Sequence, residues 1–238
     1  MACAVCNATV HQISLAKLAL EGSWEDGTQN VDCSGDGSFV LNATRWPAPY
    51  HFLDGGVARF LLDTVGGASL LDVGAGSGQY GAWFDVQRHH PERHNATAVP
   101  SWRGVDGATD IEAFTRSHGP PGSLVRHANL CAAGLTLQPA DWIMSLEVGE
   151  HLPGRCVPSF CELLSNTARV GIVLSWARPG QGGVCHVSTR EPEWVRGAFM
   201  RLGWEVDEQL SAQGRSRAHL GWFKKNLWVL RRPRRHRP

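Results

Sequence analysis

The sequence predicts an α/β protein: a seven-stranded, mostly parallel sheet with helices on both faces and an antiparallel hairpin at one edge. Three observations lead there. The apolar run Ser69-Leu-Leu-Asp72-Val ends in a turn with glycines at alternate positions, Gly74, Gly76 and Gly78, and a helical pattern starts at once behind it. Strand-like and helix-like segments then alternate, the pattern of a parallel sheet covered by crossover helices. Only a short loop is expected between the last two strand-like segments, which makes them an antiparallel edge pair.

Residues 1–50 show no strong periodicity, hold Gly-Asp clusters and end in Trp46-Pro-Ala-Pro-Tyr50. They read as an irregular N-terminal extension and candidate lid, with a short helix expected around Ile13–Glu21. The main domain is expected over 51–232. Phe52, Val57, Phe60 and Leu61 stand at helical spacing, so His51–Val65 predicts an amphipathic helix leading into the first strand. Strands are expected at Ser69–Val73, Trp102–Val105, Leu124–His127, Trp142–Leu146, Val170–Trp176, Trp204–Leu210 and Asn226–Arg231. Helices are expected at Gln79–His90, Asp110–Ser117, Val157–Ala168 and Pro192–Leu202. Residues 233–238 form a basic tail.

The bulk numbers exclude some classes. At 238 residues the chain holds one well-buried domain, and no stretch is apolar enough to span a bilayer. The net charge of +1 conceals a mildly acidic body, because Arg231-Arg-Pro-Arg-Arg-His-Arg-Pro238 carries five arginines and the remainder sums to 1 − 5 = −4. That is not the broad basic footprint of a dedicated nucleic-acid binder, although the tail offers a local patch. Seven cysteines are an odd number on a long chain, which argues against a disulfide framework and for a reducing, cytoplasmic location. Cys3-Ala-Val-Cys6 with Cys33 presents three zinc-type ligands without an obvious fourth. Asn7-Ala-Thr9, Asn42-Ala-Thr44 and Asn95-Ala-Thr97 are glycosylation sequons, so a secretory location stays open; the N-terminus lacks the pattern of a signal peptide.

The glycine turn carries the first chemistry. Glycine turns tightly and has no Cβ, and the helix behind it presents free N–H groups, so the segment suits a nucleotide-type cofactor. Gly76-Ser-Gly78-Gln-Tyr-Gly81 also fits the dinucleotide pattern G-x-G-x-x-G, with Asp106 as its acid thirty residues beyond Gly76. Asp72 weighs against a dinucleotide, since a carboxylate before the turn suits a cationic amino group and is a poor neighbour for a pyrophosphate. Asp106-Gly107 ends the second strand, where the carboxylate can accept both ribose hydroxyls; its bland alternative is an acidic turn residue.

With Asp72, Gly74, Gly76 and Gly78 so placed, the segment resembles motif I of the class I S-adenosylmethionine-dependent methyltransferases, a Rossmann-like family. The resemblance implies S-adenosylmethionine as cofactor, contacts from Asp106 and Gly107, and an acceptor for the adenine amino group at Asn129-Leu130. Relatives usually carry aspartate there, and an asparagine carbonyl can do the same work. The edge hairpin is characteristic of the same family.

Glu147-Val-Gly-Glu150-His151 after the fourth strand is the second motif. It resembles the E-V-x-E-H segment of ubiquinone-pathway O-methyltransferases and small-RNA 3′-terminal 2′-O-methyltransferases, over roughly residues 66–205. In both groups the segment and a later histidine, here His186, are associated with a divalent cation beside the acceptor hydroxyl. Positions 147, 150 and 151 are i, i+3 and i+4, so one helical turn would point them the same way. Carboxylates with imidazoles suit Mg²⁺ or a similar ion. Without a metal, Glu147 serves the cofactor loop while Glu150, His151 and His186 line the acceptor site, an imidazole acting as general base. Arg178 is a candidate for an acidic substrate group, and Trp46 and Trp176 are candidate acceptor walls.

The function expected is methyl transfer from S-adenosyl-L-methionine to a small-molecule acceptor, foremost a hydroxyl. An RNA methyltransferase using the basic tail, a dinucleotide-dependent oxidoreductase and a binding module without chemistry are the alternatives. No membrane partner is expected.

Overall fold

The computed structural model describes residues 33–41, 44–48, 50–89 and 99–233. The helix expected around Ile13–Glu21, Cys3, Cys6, the three sequon asparagines and the tail beyond 233 lie outside the described residues. In chain order the elements are α1 (Gly55–Val65), β1 (Ser69–Val73), α2 (Gln79–His89), β2 (Ser101–Asp106), α3 (Ile111–His118), β3 (Val125–His127) and β4 (Ala140–Leu146). There follow α4 (Val157–Thr167), β5 (Ala168–Ser175), α5 (Pro192–Arg201), β6 (Glu205–Val206), α6 (Glu208–Arg217), α7 (Phe223–Asn226) and β7 (Trp228–Arg231).

The strands form one sheet in the order β3-β2-β1-β4-β5-β7-β6. Pairing is parallel from β3 through β5, and β7 runs antiparallel to both β5 and β6. Strand order reverses between β1 and β4, so the switch point, where an open α/β sheet takes its ligand, lies beyond the carboxyl ends of those two strands.

Alternate residues of the central strands feed two cores. Leu71, Val73, Ile143, Ile172 and Leu174 pack with Phe160 and Leu164 of α4 and Phe199 of α5 on one face. Leu70, Trp142, Met144 and Val173 pack with Phe60 and Leu61 of α1, Phe84 of α2 and Phe223 of α7 on the other. Burial on both faces is why these strands read as continuous apolar runs. Asp54 caps α1, accepting from the N–H groups of Gly56 and Val57, and its other oxygen accepts from those of His219 and Leu220. One buried carboxylate thereby joins α1 to the segment after α6.

Two expectations are corrected here. The strand expected over Trp204–Leu210 is only Glu205–Val206, because Asp207 accepts from the N–H of Leu210 and starts α6. The last two strands are antiparallel, yet α6 and α7 lie between them instead of a short loop. The cysteines also depart from expectation. Cys33 pairs with Cys185 and Cys131 with Cys156, at Cα separations of 6.3 and 5.1 Å, leaving buried Cys161 as a free thiol. Both separations suit disulfides. The cysteine count therefore gives no support to a reducing compartment, and Cys33 is committed to Cys185 and not to a zinc set. Among the described residues no helix is long and apolar enough to cross a membrane.

Candidate functional site

The carboxyl ends of β1, β2 and β4 open into a cavity of about 920 Å³. The glycine turn lines one end. Gly76, at φ +54°, lies so close to the His51 ring that a Cβ would sit 3.0 Å from it. Gly74 lines the same end; Gly78, at φ +73°, stands outside the lining, pressed against the Ser123 carbonyl.

Asp72 is 2% exposed. Burial pushes its pKa up to about 8, the Trp102 indole N–H at 3.3 Å pulls it down, and the charge of Asp106 adds to the rise. An acid held in this state gains most from a cation placed beside it. Asp106 accepts from the N–H of Gly76 at 2.8 Å and of Ala108 at 2.9 Å, which fixes both oxygens and leaves each a further lone pair. Gly107 packs against Ser38. Asn129 and Leu130 line the cavity beyond β3, with Asn129 Oδ1 accepting from the N–H of Cys131 at 2.9 Å.

At the other end, Glu147 follows β4 in the left-handed conformation, φ +54°, with its N–H donating to Ser175 Oγ. Its carboxylate accepts from Gln181 Nε2 at 2.6 Å, and Gln181 Oε1 accepts from Asn226 Nδ2 at 2.6 Å. Burial raises the Glu147 pKa, against the hydrogen bonds from Ser175 and Gln181. Residues 147–156 form turns and bends, so the expected helical turn is absent, yet the Glu147 carboxyl still lies close enough to that of Glu150 for the two to interact.

Glu150, His151 and His186 form a group whose donor atoms lie within 4.8 Å of one another. Glu150 is wholly buried, and neither carboxylate oxygen has a hydrogen-bond partner. Burial first, then the charge of Glu147, drives its pKa well up. Its carbonyl accepts from the N–H groups of Val187 and Ser188, both at 2.8 Å, and this brings His186 alongside. His151 Nδ1 is also without a partner. Burial and then His186 lower the His151 pKa to about 4. The His151 ring meets His186 and Phe39 edge-on, each with centroids 5.0 Å apart. A buried carboxylate with both oxygens unpaired, facing two imidazoles, is a donor set that fits a divalent cation. Glu147, expected as a fourth ligand, is not part of it.

Several residues were not legible beforehand. His51 lies over the glycine turn, hydrogen-bonded through Nδ1 to Ser77 Oγ at 2.6 Å. Burial lowers its pKa, partly offset by the charge of Asp106. Gln181 holds Glu147 through its side chain, and its carbonyl lies 3.2 Å from His186 Nδ1. A carbonyl only accepts, so in the neutral ring this contact favours the tautomer with the proton on Nδ1. Phe39, in the extension, covers His151 and belongs to a segment joined to the His186 loop by Cys33–Cys185. Three expected wall or recognition residues are elsewhere. Trp176 is buried under Gly149, Trp46 donates to the Ser77 carbonyl outside the cavity lining, and Arg178 donates to the Lys225 carbonyl.

No protein-family model matches the sequence, and no curated protein does. Solved structures match in fold. The S-adenosylmethionine-bound amino pentose methyltransferase CalS10 from Micromonospora echinaspora is 18% identical, with a TM-score of 0.51 over 74% of this chain and 88% of that one. Magnesium protoporphyrin IX methyltransferase from Synechocystis PCC 6803, with bound S-adenosylhomocysteine, is 15% identical, TM-score 0.50, over 74% and 80%. The sugar N-methyltransferase KedS8 from Streptoalloteichus sp. ATCC 53650 is 15% identical, TM-score 0.50, over 74% and 85%. The chain has the Rossmann-like fold of the class I S-adenosylmethionine-dependent methyltransferases.

Proposed function

We propose that the protein transfers the methyl group of S-adenosylmethionine to a hydroxyl of a small molecule. One observation carries this: a single cavity holds a buried, cation-seeking acid beside a glycine turn at one end and the His151 and His186 imidazoles, backed by buried Glu150, at the other. Asp72 would hold the ammonium of the methionine half, Asp106 the ribose hydroxyls, and Asn129 with Leu130 the adenine. Bound there, the cofactor supplies an electrophilic sulfonium methyl. The acceptor oxygen gains the methyl carbon, sulfur keeps the electron pair of the broken C–S bond, and the hydroxyl proton passes to an imidazole. His186 is suited to take it, since the Gln181 carbonyl favours the tautomer that leaves Nε2 unprotonated. Glu150, His151 and His186 are also the residues that would hold a divalent cation, which supplies a lowered pKa at the acceptor hydroxyl.

Two alternatives fit less well. A dinucleotide enzyme would place its pyrophosphate against Asp72. An RNA methyltransferase would need cations at the acceptor, and no lysine or arginine lines the cavity among the described residues. Calorimetric titration with S-adenosylhomocysteine and with NAD tests the proposal. The former should bind, and Asp106→Ala should weaken it by about 1.5–3 kcal/mol for each charge-assisted hydrogen bond lost. Binding of NAD alone would overturn it.

A further inference from the structure

We infer that residues 33–39 form a redox-released strap across the cavity: thiol–disulfide exchange at Cys33–Cys185 with a dithiol reductant frees one end of the strap and opens the cavity beneath it. The strap walls the cavity whatever ligand occupies it, so the inference goes beyond the methyl-transfer reading and does not depend on it.

The strap is a small closed unit laid over both ends of the cavity. Cys33 and Phe39 form an antiparallel bridge. Between them the Gly37 N–H donates to the Ser34 carbonyl at 3.0 Å, and Asp36 Oδ1 accepts from the Ser38 N–H at 3.1 Å. Asp36, Gly37, Ser38 and Phe39 all line the cavity. Ser38 packs on Gly107, beside Asp106. Gly37, at φ +91°, lies so close to the His151 carbonyl that a Cβ would sit 2.5 Å from it, and only glycine meets both demands. The Phe39 ring stands edge-on to that of His151 at 5.0 Å.

Two anchors hold it, and they differ in kind. Further along the chain, Trp46 Nε1 donates to the Ser77 carbonyl at 2.7 Å and the Ala48 N–H to Ser77 Oγ at 2.8 Å, so that end stays on the glycine turn in either redox state. The other end is Cys33, bonded to Cys185, the neighbour of His186. Apart from the disulfide, the strap's side-chain ties on that side are the exposed Arg155 hydrogen bond to the Gly35 carbonyl at 3.0 Å and the Phe39 ring contact. Contacts of that kind contribute little net stability. Cutting the S–S bond therefore turns a strap pinned at both ends into a flap hinged at Ser77, and releases the loop that carries His186.

Access favours this disulfide. Cys33 is exposed, whereas Cys156 of the other pair is 4% exposed, and exchange requires a thiolate to reach a sulfur. One thiolate of the dithiol attacks Cys33 Sγ, and the electron pair of the broken S–S bond leaves on Cys185. The second thiol of the dithiol then displaces Cys33, so the protein gains two electrons and two protons and the dithiol becomes a disulfide.

The test is hydrogen–deuterium exchange of the full chain, oxidised and after dithiothreitol, read by mass spectrometry. Residues 33–41 and 185–190 should exchange at least about tenfold faster after reduction, while β4 stays protected and shows the fold intact. The Cys33→Ser/Cys185→Ser double variant should exchange at the fast rate in both conditions, which separates this disulfide from Cys131–Cys156. Iodoacetamide added during reduction should label Cys33 and Cys185 before Cys131 and Cys156. Reduction should also speed release of S-adenosylhomocysteine several-fold, followed by stopped-flow tryptophan fluorescence. Unchanged exchange at 33–41, a double variant that still responds to dithiothreitol, earlier labelling of Cys131 and Cys156, or an unchanged release rate overturns the inference. Failure of S-adenosylhomocysteine to bind at all strikes the methyl-transfer reading instead, and the exchange and labelling results then decide the inference by themselves.

Discussion

If Asp72 holds the cofactor ammonium as proposed, cofactor binding depends on pH in a direction that can be worked out. With a pKa of about 8 in the free protein, the carboxyl is mostly protonated at pH 7. If the cofactor ammonium needs the carboxylate, the apparent affinity at pH 7 is about tenfold, or ~1.4 kcal/mol, below that of the ionised site. The cofactor's own α-amino group, ordinarily near 7.7–8.0, must stay protonated. Affinity for S-adenosylmethionine should therefore climb from pH 6, peak near 8 and fall beyond it. The same burial acts on folding. An acid whose folded pKa is raised gives stability that is fully present below its unfolded value, 3.8, and is lost as pH rises towards about 8. At pH 7 that loss is on the order of 4 kcal/mol. Asp72→Asn should melt higher than the parent at pH 7–8, bind S-adenosylmethionine poorly and lose the climb with pH. Calorimetry across pH 6–9, with 5′-methylthioadenosine as a control lacking the amino acid, and thermal melts check both halves. A flat affinity profile between pH 6 and 8, or a climb retained in Asp72→Asn, would refute the reasoning.

Gln181→Leu removes the donor to Glu147 and strands Asn226, so it should cost about 1–3 kcal/mol of stability and move the acid limb of the pH–rate profile upward. Gln181→Glu should be the worse of the two at neutral pH, because it sets a second carboxylate against Glu147; equal profiles for both variants and the parent would remove the positioning role. Glu150→Leu should abolish Mn²⁺ uptake, read by electron paramagnetic resonance, and raise the metal-free melting temperature by relieving an unpaired buried acid. Should the parent take up no Mn²⁺, chelation will leave turnover unchanged and His186→Ala will remove it. Cys33→Ser should melt lower than the parent under oxidising conditions and alike under reducing ones. Closing a separation of 152 residues is worth roughly 5 kcal/mol in the chain-entropy limit.

What the sequence made legible follows from how far apart the cooperating residues lie. The glycine turn and the apolar strands are local signals, and β1 is found where the run Ser69–Val73 places it. At Asp207-Glu208 two local signals compete: an N-cap with an acidic first turn, and Trp204 with the apolar residues near it, which favour a longer strand. The Glu147, Glu150 and His151 spacing suggested a helix, but Glu147 adopts a left-handed turn anchored by Ser175, which is 28 residues distant. His51 and Gln181 carried no motif, since each matters only through the surface it is folded against. This difference separates the two ends of the cavity. The end proposed for the cofactor is built largely from one stretch, Asp72 to Gly76, with Asp106 pinned to it. The acceptor end needs the turn after β4, the loop after β5 held by the Glu150 carbonyl, the segment after α6 and the extension joined through Cys33. Four distant stretches must meet before any acceptor chemistry exists, so a sequence that announces its cofactor says little about what it methylates.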